Sequence, residues 1–68
     1  MRWISPLRYY SAEIITDLLG DLIIHIVHGG RFNQRYTVRN IPVTSMADAN
    51  KKLAALHKIR IKHGYLLS

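Results

Sequence analysis

The sequence predicts an α+β fold: a small antiparallel β-sheet of three to four strands with one C-terminal α-helix packed on one face. Three observations predict it. Two strand-patterned stretches in the first half flank the turn signal DLLGD at 17–21. A third alternating stretch follows the paired glycines Gly29 and Gly30. From Ser45 onward the apolar residues change to helical spacing.

From Arg8 to Leu18 the residues alternate, so Tyr10, Ala12, Ile14, Thr16 and Leu18 share one face, expected inward. Gly20 in DLLGD is free to take a positive φ, which folds the chain back as a hairpin. The returning strand, Asp21 to His28, is apolar on both sides: Leu22, Ile24 and Ile26 on one, Ile23 and Val27 on the other. Such a strand belongs at the centre of a sheet, at least partly covered twice. Gly29-Gly30 is expected to turn the chain into a polar loop ending at Gln34. In RYTVRNIPV at 35–43 the alternation places Tyr36 and Val38 inward and Arg35, Thr37 and Arg39 outward, until Pro42 ends the ladder.

Ser45 then caps a helix, and Asp48 three residues on completes a capping box. The helix is expected to run to about His63 and stop at Gly64. Met46, Ala49, Leu53 and Leu56 form its apolar stripe, with Lys51, Lys58 and Lys62 as a solvated ridge opposite. Arg60 breaks that pattern because it falls in the stripe; its alkyl stem should pack while the guanidinium reaches a carbonyl, an acid or the sheet edge.

Size and composition narrow the function. A chain of 68 residues makes one domain, with 1–7 read as an N-terminal segment and 8–65 as its core. It buries only about 60% of its unfolded surface, which leaves little room for an enclosed pocket and argues against an enzyme. Without cysteine there is no disulfide or thiolate metal site, and no cofactor is expected. The longest apolar run, LII at 22–24 extended to LIIHIV only by admitting His25, is far short of the roughly 20 residues that span a bilayer. MRWISPLRYY lacks the apolar centre of a signal peptide, so a cytoplasmic protein that avoids membranes is expected.

The net charge is +6, unevenly spread. Residues 1–21 carry two bases and three acids, whereas 22–68 carry eight bases and Asp48 alone. The positive field belongs to the second part of the chain and makes a polyanion the leading partner, against the plainer view that charge keeps a small protein soluble.

The order RYYSAEIITDLLGD, LIIHIVHGGR, RYTVRNIPVTSMADA and RIKHGY resembles the WGR domain, a module named for a Trp-Gly-Arg triplet ending a central strand. The likeness covers residues 8–65. Its marks are the RYY strand start, the DLLGD turn, Gly30-Arg31, the S-x-x-D-A helix entry at 45–49, and Gly64-Tyr65 with Arg60 five residues before the tyrosine. The chain departs at the signature, with Gly29 where the family has tryptophan and Asn33 where a glycine is usual. WGR domains occur in DNA-damage-responsive poly(ADP-ribose) polymerases and in small bacterial proteins. There the tryptophan and arginine contact the DNA end and neighbouring domains. The resemblance therefore implies nucleic-acid binding, to DNA ahead of RNA, with Gly30 and Arg31 carried over and the indole's stacking role not.

The candidate nucleic-acid-binding residues are Gly30, Arg31, Phe32, Asn33, Arg35 and Arg39. Arg31 beside a bare turn suits a phosphate, or it ties the loop to its own domain. Phe32 offers a stacking face if it points out of the loop, and Asn33 tolerates the left-handed backbone of the glycine it replaces. Arg31, Arg35 and Arg39 form a line of charge about 25 Å long at roughly 3.3 Å per residue, or they guard an edge strand against aggregation. No metal is expected: His25 and His28 point to opposite faces of their strand, and His57 and His63 lie about 120° apart around the helix. Ile15, Ile23, Val27 and Ile41 should face away from the helix. Either Trp3, Pro6 and Leu7 fold across them, or a homodimer or another protein does.

Overall fold

A computed structural model describes residues 1–68. Its elements are β1 (Arg2–Ile4), β2 (Arg8–Thr16), β3 (Leu22–Gly30), β4 (Tyr36–Pro42), α1 (Met46–Lys62) and β5 (Leu66–Leu67). They form one five-stranded sheet in the order β4-β3-β2-β1-β5, with the helix against one face, which is the α+β class the sequence predicts. Every neighbouring pair is antiparallel. The strands beyond the expected three or four are β1 and β5, of three and two residues, too short to show a period of two. Residues 2–4 are thus part of the sheet rather than a segment preceding it.

The β2–β3 hairpin pairs Tyr10 with His28, Ala12 with Ile26 and Ile14 with Ile24. Gly20 has φ +86° at its tip, and Asp17 Oδ1 accepts from the N–H of Leu19 and of Asp21 at 2.9 Å each, so the turn is built from its own side chain. The ladder closes at Thr16 and Leu22. Leu18, expected inward, lies beyond it and is fully exposed.

Trp3, Tyr10, Ala12, Ile24 and Ile26 form the buried cluster on the helix side, joined by Ile41, Val43, Leu53, Leu56 and Tyr65, and Ala49 is the helix's fully buried residue. Trp3 does not cross the outer face, as one expectation had it. It pairs with Tyr10 on the helix side, is fully buried, and donates its indole N–H to Nδ1 of His57 at 3.0 Å. Pro6 and Leu7 are exposed and cover nothing.

The faces of β4 are reversed from the expectation. Its register sets Tyr36 opposite Gly29 and Val38 opposite Val27, residues of β3 that point away from the helix. Arg39 faces the helix side opposite Ile26, and Ile41 joins the core opposite Ile24. Alternation defines two faces without saying which is buried, and the helix lies over β3 and β5 rather than over β4. The outer surface therefore carries Ile15, Ile23, Val27, Tyr36 and Val38, without Ile41.

The helix ends follow the signals. Ser45 Oγ accepts from Asp48 N at 3.1 Å, while Asp48 Oδ2 accepts from Thr44 N at 3.0 Å, so the reciprocal bond of the box lands one residue early. Lys52 Nζ reaches the same oxygen at 3.2 Å. At the other end Gly64 takes φ +88° and its N–H meets Ile61 O at 3.1 Å, while Tyr65 N meets Arg60 O at 3.0 Å, the paired bonds of a Schellman stop. That stop turns Tyr65 back toward the sheet beside Arg60. No helix is long and apolar enough to cross a membrane.

Candidate functional site

Gly29 and Gly30 do not turn the chain. Both are still in β3, opposite Tyr9 and Arg8, and neither has a positive φ. Their glycine identity answers a different need. A Cβ on Gly29 would lie 2.5 Å from the carbonyl oxygen of Arg35, and one on Gly30 would strike the side-chain amide of Asn33. The reversal is made by 31–35, folded back onto the bare strand end.

Asn33 shapes that loop through its side chain. Its backbone φ is not positive, and Oδ1 accepts from Arg35 N at 3.0 Å while the amide rests on Gly30. Arg31 is anchored at two points: its N–H donates to Leu7 O at 2.9 Å and Nη1 donates to Ser5 O at 3.0 Å. One arm of the guanidinium is thus used internally, by a carbonyl and not by an acid, and the side chain stays exposed. Phe32 is 78% exposed, 5.5 Å from the Arg31 guanidinium.

Between this loop and the helix C-terminus lies a cleft of about 1030 Å³. Arg8, His28, Arg35 and Arg60 are its basic residues, and Tyr9, Tyr10, Phe32, Tyr36 and Tyr65 its aromatic ones. No carboxylate lines it. Asp17 and Asp21 sit in the hairpin turn at the far end of the sheet, Asp48 at the helix N-terminus, and Glu13 across from His25 on the outer face. The cleft is therefore a region of one sign of charge within low-dielectric walls, the arrangement that concentrates anions.

Compared with known proteins, the chain matches no family model, no curated protein and no solved structure.

Arg60 is the group that the sequence singled out as an anomaly and did not place in the site. Its guanidinium carbon sits 4.5 Å from the centre of the Tyr10 ring and 5.3 Å from that of Tyr65. Tyr10 is itself held by stacking on His28, with centroids 5.3 Å apart and planes 14° apart, and by the edge of Trp3 at 5.8 Å. Rather than an acid or a carbonyl, Arg60 meets two aromatic faces, and its Nε is buried with no hydrogen-bond partner. Its position in the apolar stripe and its spacing from Tyr65 were the signals for it, and neither Arg8 nor His28 was marked as a site residue.

Of the predicted residues, Gly30, Phe32, Asn33 and Arg35 line the cleft together. Arg31 adjoins it through Phe32, and Arg39 lies further along the exposed edge strand on the helix side. No three His, Asp or Glu side chains converge in a metal-binding group.

Proposed function

We propose that this chain is a non-enzymatic nucleic-acid-binding module that grips the phosphate backbone through the cleft beside Gly29 and Gly30. The observation that carries the reading is the company of Arg60: Arg8, Arg35 and His28 share its cleft and no carboxylate does. Several cations gathered without a counter-ion repel one another, and a polyanion relieves that repulsion. Arg31 and Arg39 extend the positive surface past the cleft, and each arginine offers a planar donor fork suited to phosphate. The resemblance to WGR domains supports the same class of partner, since the Gly30-Arg31 pair stands at the cleft's edge.

Contacts of this kind read the backbone and carry little sequence information. With about four phosphates neutralised, log K should fall against log salt with a slope near −3.6 on duplex DNA or about −2.8 on a single strand. Fluorescence anisotropy at several salt concentrations checks this. Undetectable binding at low salt, or a double Arg8→Ala, Arg35→Ala variant that binds as tightly as the parent, rules the reading out.

A second reading follows from the uncovered face of the sheet. Ile15, Ile23, Val27, Tyr36 and Val38 form an apolar surface opposite the helix, with Val38 48% exposed, and surfaces of that kind mark protein contacts. If it joins two copies, light scattering detects a dimer that Ile23→Lys dissolves.

A further inference from the structure

We infer that the cleft is a seat for single-stranded nucleic acid, in which Arg60 holds a phosphate while the exposed ring of Phe32 receives a base. This deepens the nucleic-acid reading and rests on it.

Arg60 differs from the other arginines in how it is held. Arg8 and Arg35 are exposed and free to swing, whereas Arg60 is half-buried. Tyr10 and Tyr65 lie 4.5 and 5.3 Å from its guanidinium carbon, and the two rings meet edge to face with centroids 6.5 Å apart. Those contacts fix the plane of the guanidinium before any ligand arrives, so little rotamer freedom is lost when an anion binds. They satisfy the charge only through ring faces. The buried Nε finds no acceptor in the protein, and the neighbouring basic groups add repulsion rather than relief. An oxyanion bound beside the guanidinium meets a charge that no carboxylate in the cleft offsets.

Shape and surface chemistry select the ligand. The volume of about 1030 Å³ is at the upper end of the roughly 300–1,000 Å³ that small ligands occupy, enough for a nucleotide or two. Gly29 and Gly30 let the 31–35 loop close tightly on the strand end and form the cleft's rim. Phe32 is 78% exposed and 5.5 Å from the Arg31 guanidinium, an aromatic face beside positive charge. Bases in a duplex are stacked on one another and do not reach such rings, whereas those of a single strand do. His28, stacked on Tyr10, lines the same cleft as a further hydrogen-bonding group.

The test measures binding of an eight-nucleotide thymidine oligomer, a blunt duplex, AMP and adenosine to the whole chain, by anisotropy and by NMR shifts of His28, Gly30 and Tyr65. The expected result is single-strand binding at least about tenfold tighter than duplex binding, a loss of about tenfold in Arg60→Gln, and a loss of similar size in Phe32→Ala. AMP should shift the cleft amides and adenosine should not. Because Arg60→Gln removes contacts to two core rings, Arg60→Lys is measured beside it. Lysine keeps the stem and the charge but loses the planar fork, and a folded Lys variant with several-fold weaker binding supports the seat. Duplex bound as tightly as single strand, or Arg60→Lys and Phe32→Ala binding like the parent, overturns this inference while leaving the nucleic-acid reading in place. Failure of every nucleic acid to bind overturns both.

Discussion

The indole N–H of Trp3 donates to Nδ1 of His57 across 3.0 Å, tying the first strand to the helix over 54 residues of chain. The bond fixes which imidazole nitrogen accepts, and it places Trp3 edge-on to Tyr10, the ring on which Arg60 lies. The deepest packing contact and the candidate site are thus joined through a single tyrosine.

Truncating that tryptophan should weaken the whole fold. Trp3→Ala removes the largest fully buried side chain and is expected to cost about 3–5 kcal/mol in urea unfolding. His57→Leu leaves the indole N–H without its acceptor and should cost about 1–3 kcal/mol. Trp3 fluorescence reports the His57→Leu transition and circular dichroism that of Trp3→Ala, where a cost under about 1 kcal/mol would place the core elsewhere.

The strand-end glycines make a contrasting pair with the turn glycine. Gly29→Ala drives a methyl to within 2.5 Å of Arg35 O, so the loop at 31–35 must move, with an expected loss of about 1–3 kcal/mol and altered NMR shifts across that loop. Gly20→Ala meets open space but holds φ +86°, so it should cost about 1–2 kcal/mol with shifts confined to the hairpin tip. Nucleic-acid binding should fall in the first variant and survive in the second.

Asp48 makes stability depend on acid pH. The Thr44 backbone N–H, then the Lys52 ammonium, hold its carboxyl below the ordinary value of 3.8. A carboxylate so depressed contributes stability that is complete above its unfolded value and fades as pH falls through the lower folded one. Thermal melts of the wild type should therefore drop below about pH 4 more steeply than those of Asp48→Asn. At neutral pH, Ser45→Ala should cost about 1 kcal/mol through loss of the cap.

The outer sheet face separates the two functional readings. Val38 points away from the cleft, so Val38→Gln should leave oligonucleotide affinity within about twofold. A larger loss would move the binding surface to the other side of the sheet.

Much of the architecture was legible because its signals are local. DLLGD, Ser45 with Asp48, and Gly64 with Tyr65 each act through residues within a turn of one another, and each stands where the sequence places it. What failed depends on distant partners. Val38 and Arg39 were assigned to the wrong faces because alternation is symmetric and only the pairing of Gly29 with Tyr36 breaks the symmetry. Trp3 was misplaced because its strand exists only against β2 and β5. In the site, Gly29 and Gly30 were read as the turn itself, whereas the constraint on them is the close approach of the 31–35 loop. Arg60 showed only as a charge in an apolar stripe at a set spacing from Tyr65, since the rings that receive it lie on β2 and beyond the helix.

The most direct measurement of the central claim is an NMR titration of the isotopically labelled chain with a short thymidine oligomer at low salt, following the backbone amides and the arginine Nε–H signals. Shifts clustered at His28, Gly30, Arg35, Tyr65 and the Arg60 Nε–H are the predicted result. Shifts confined to Val27, Val38 and Ile15 on the opposite face, or a spectrum that does not change, would contradict it.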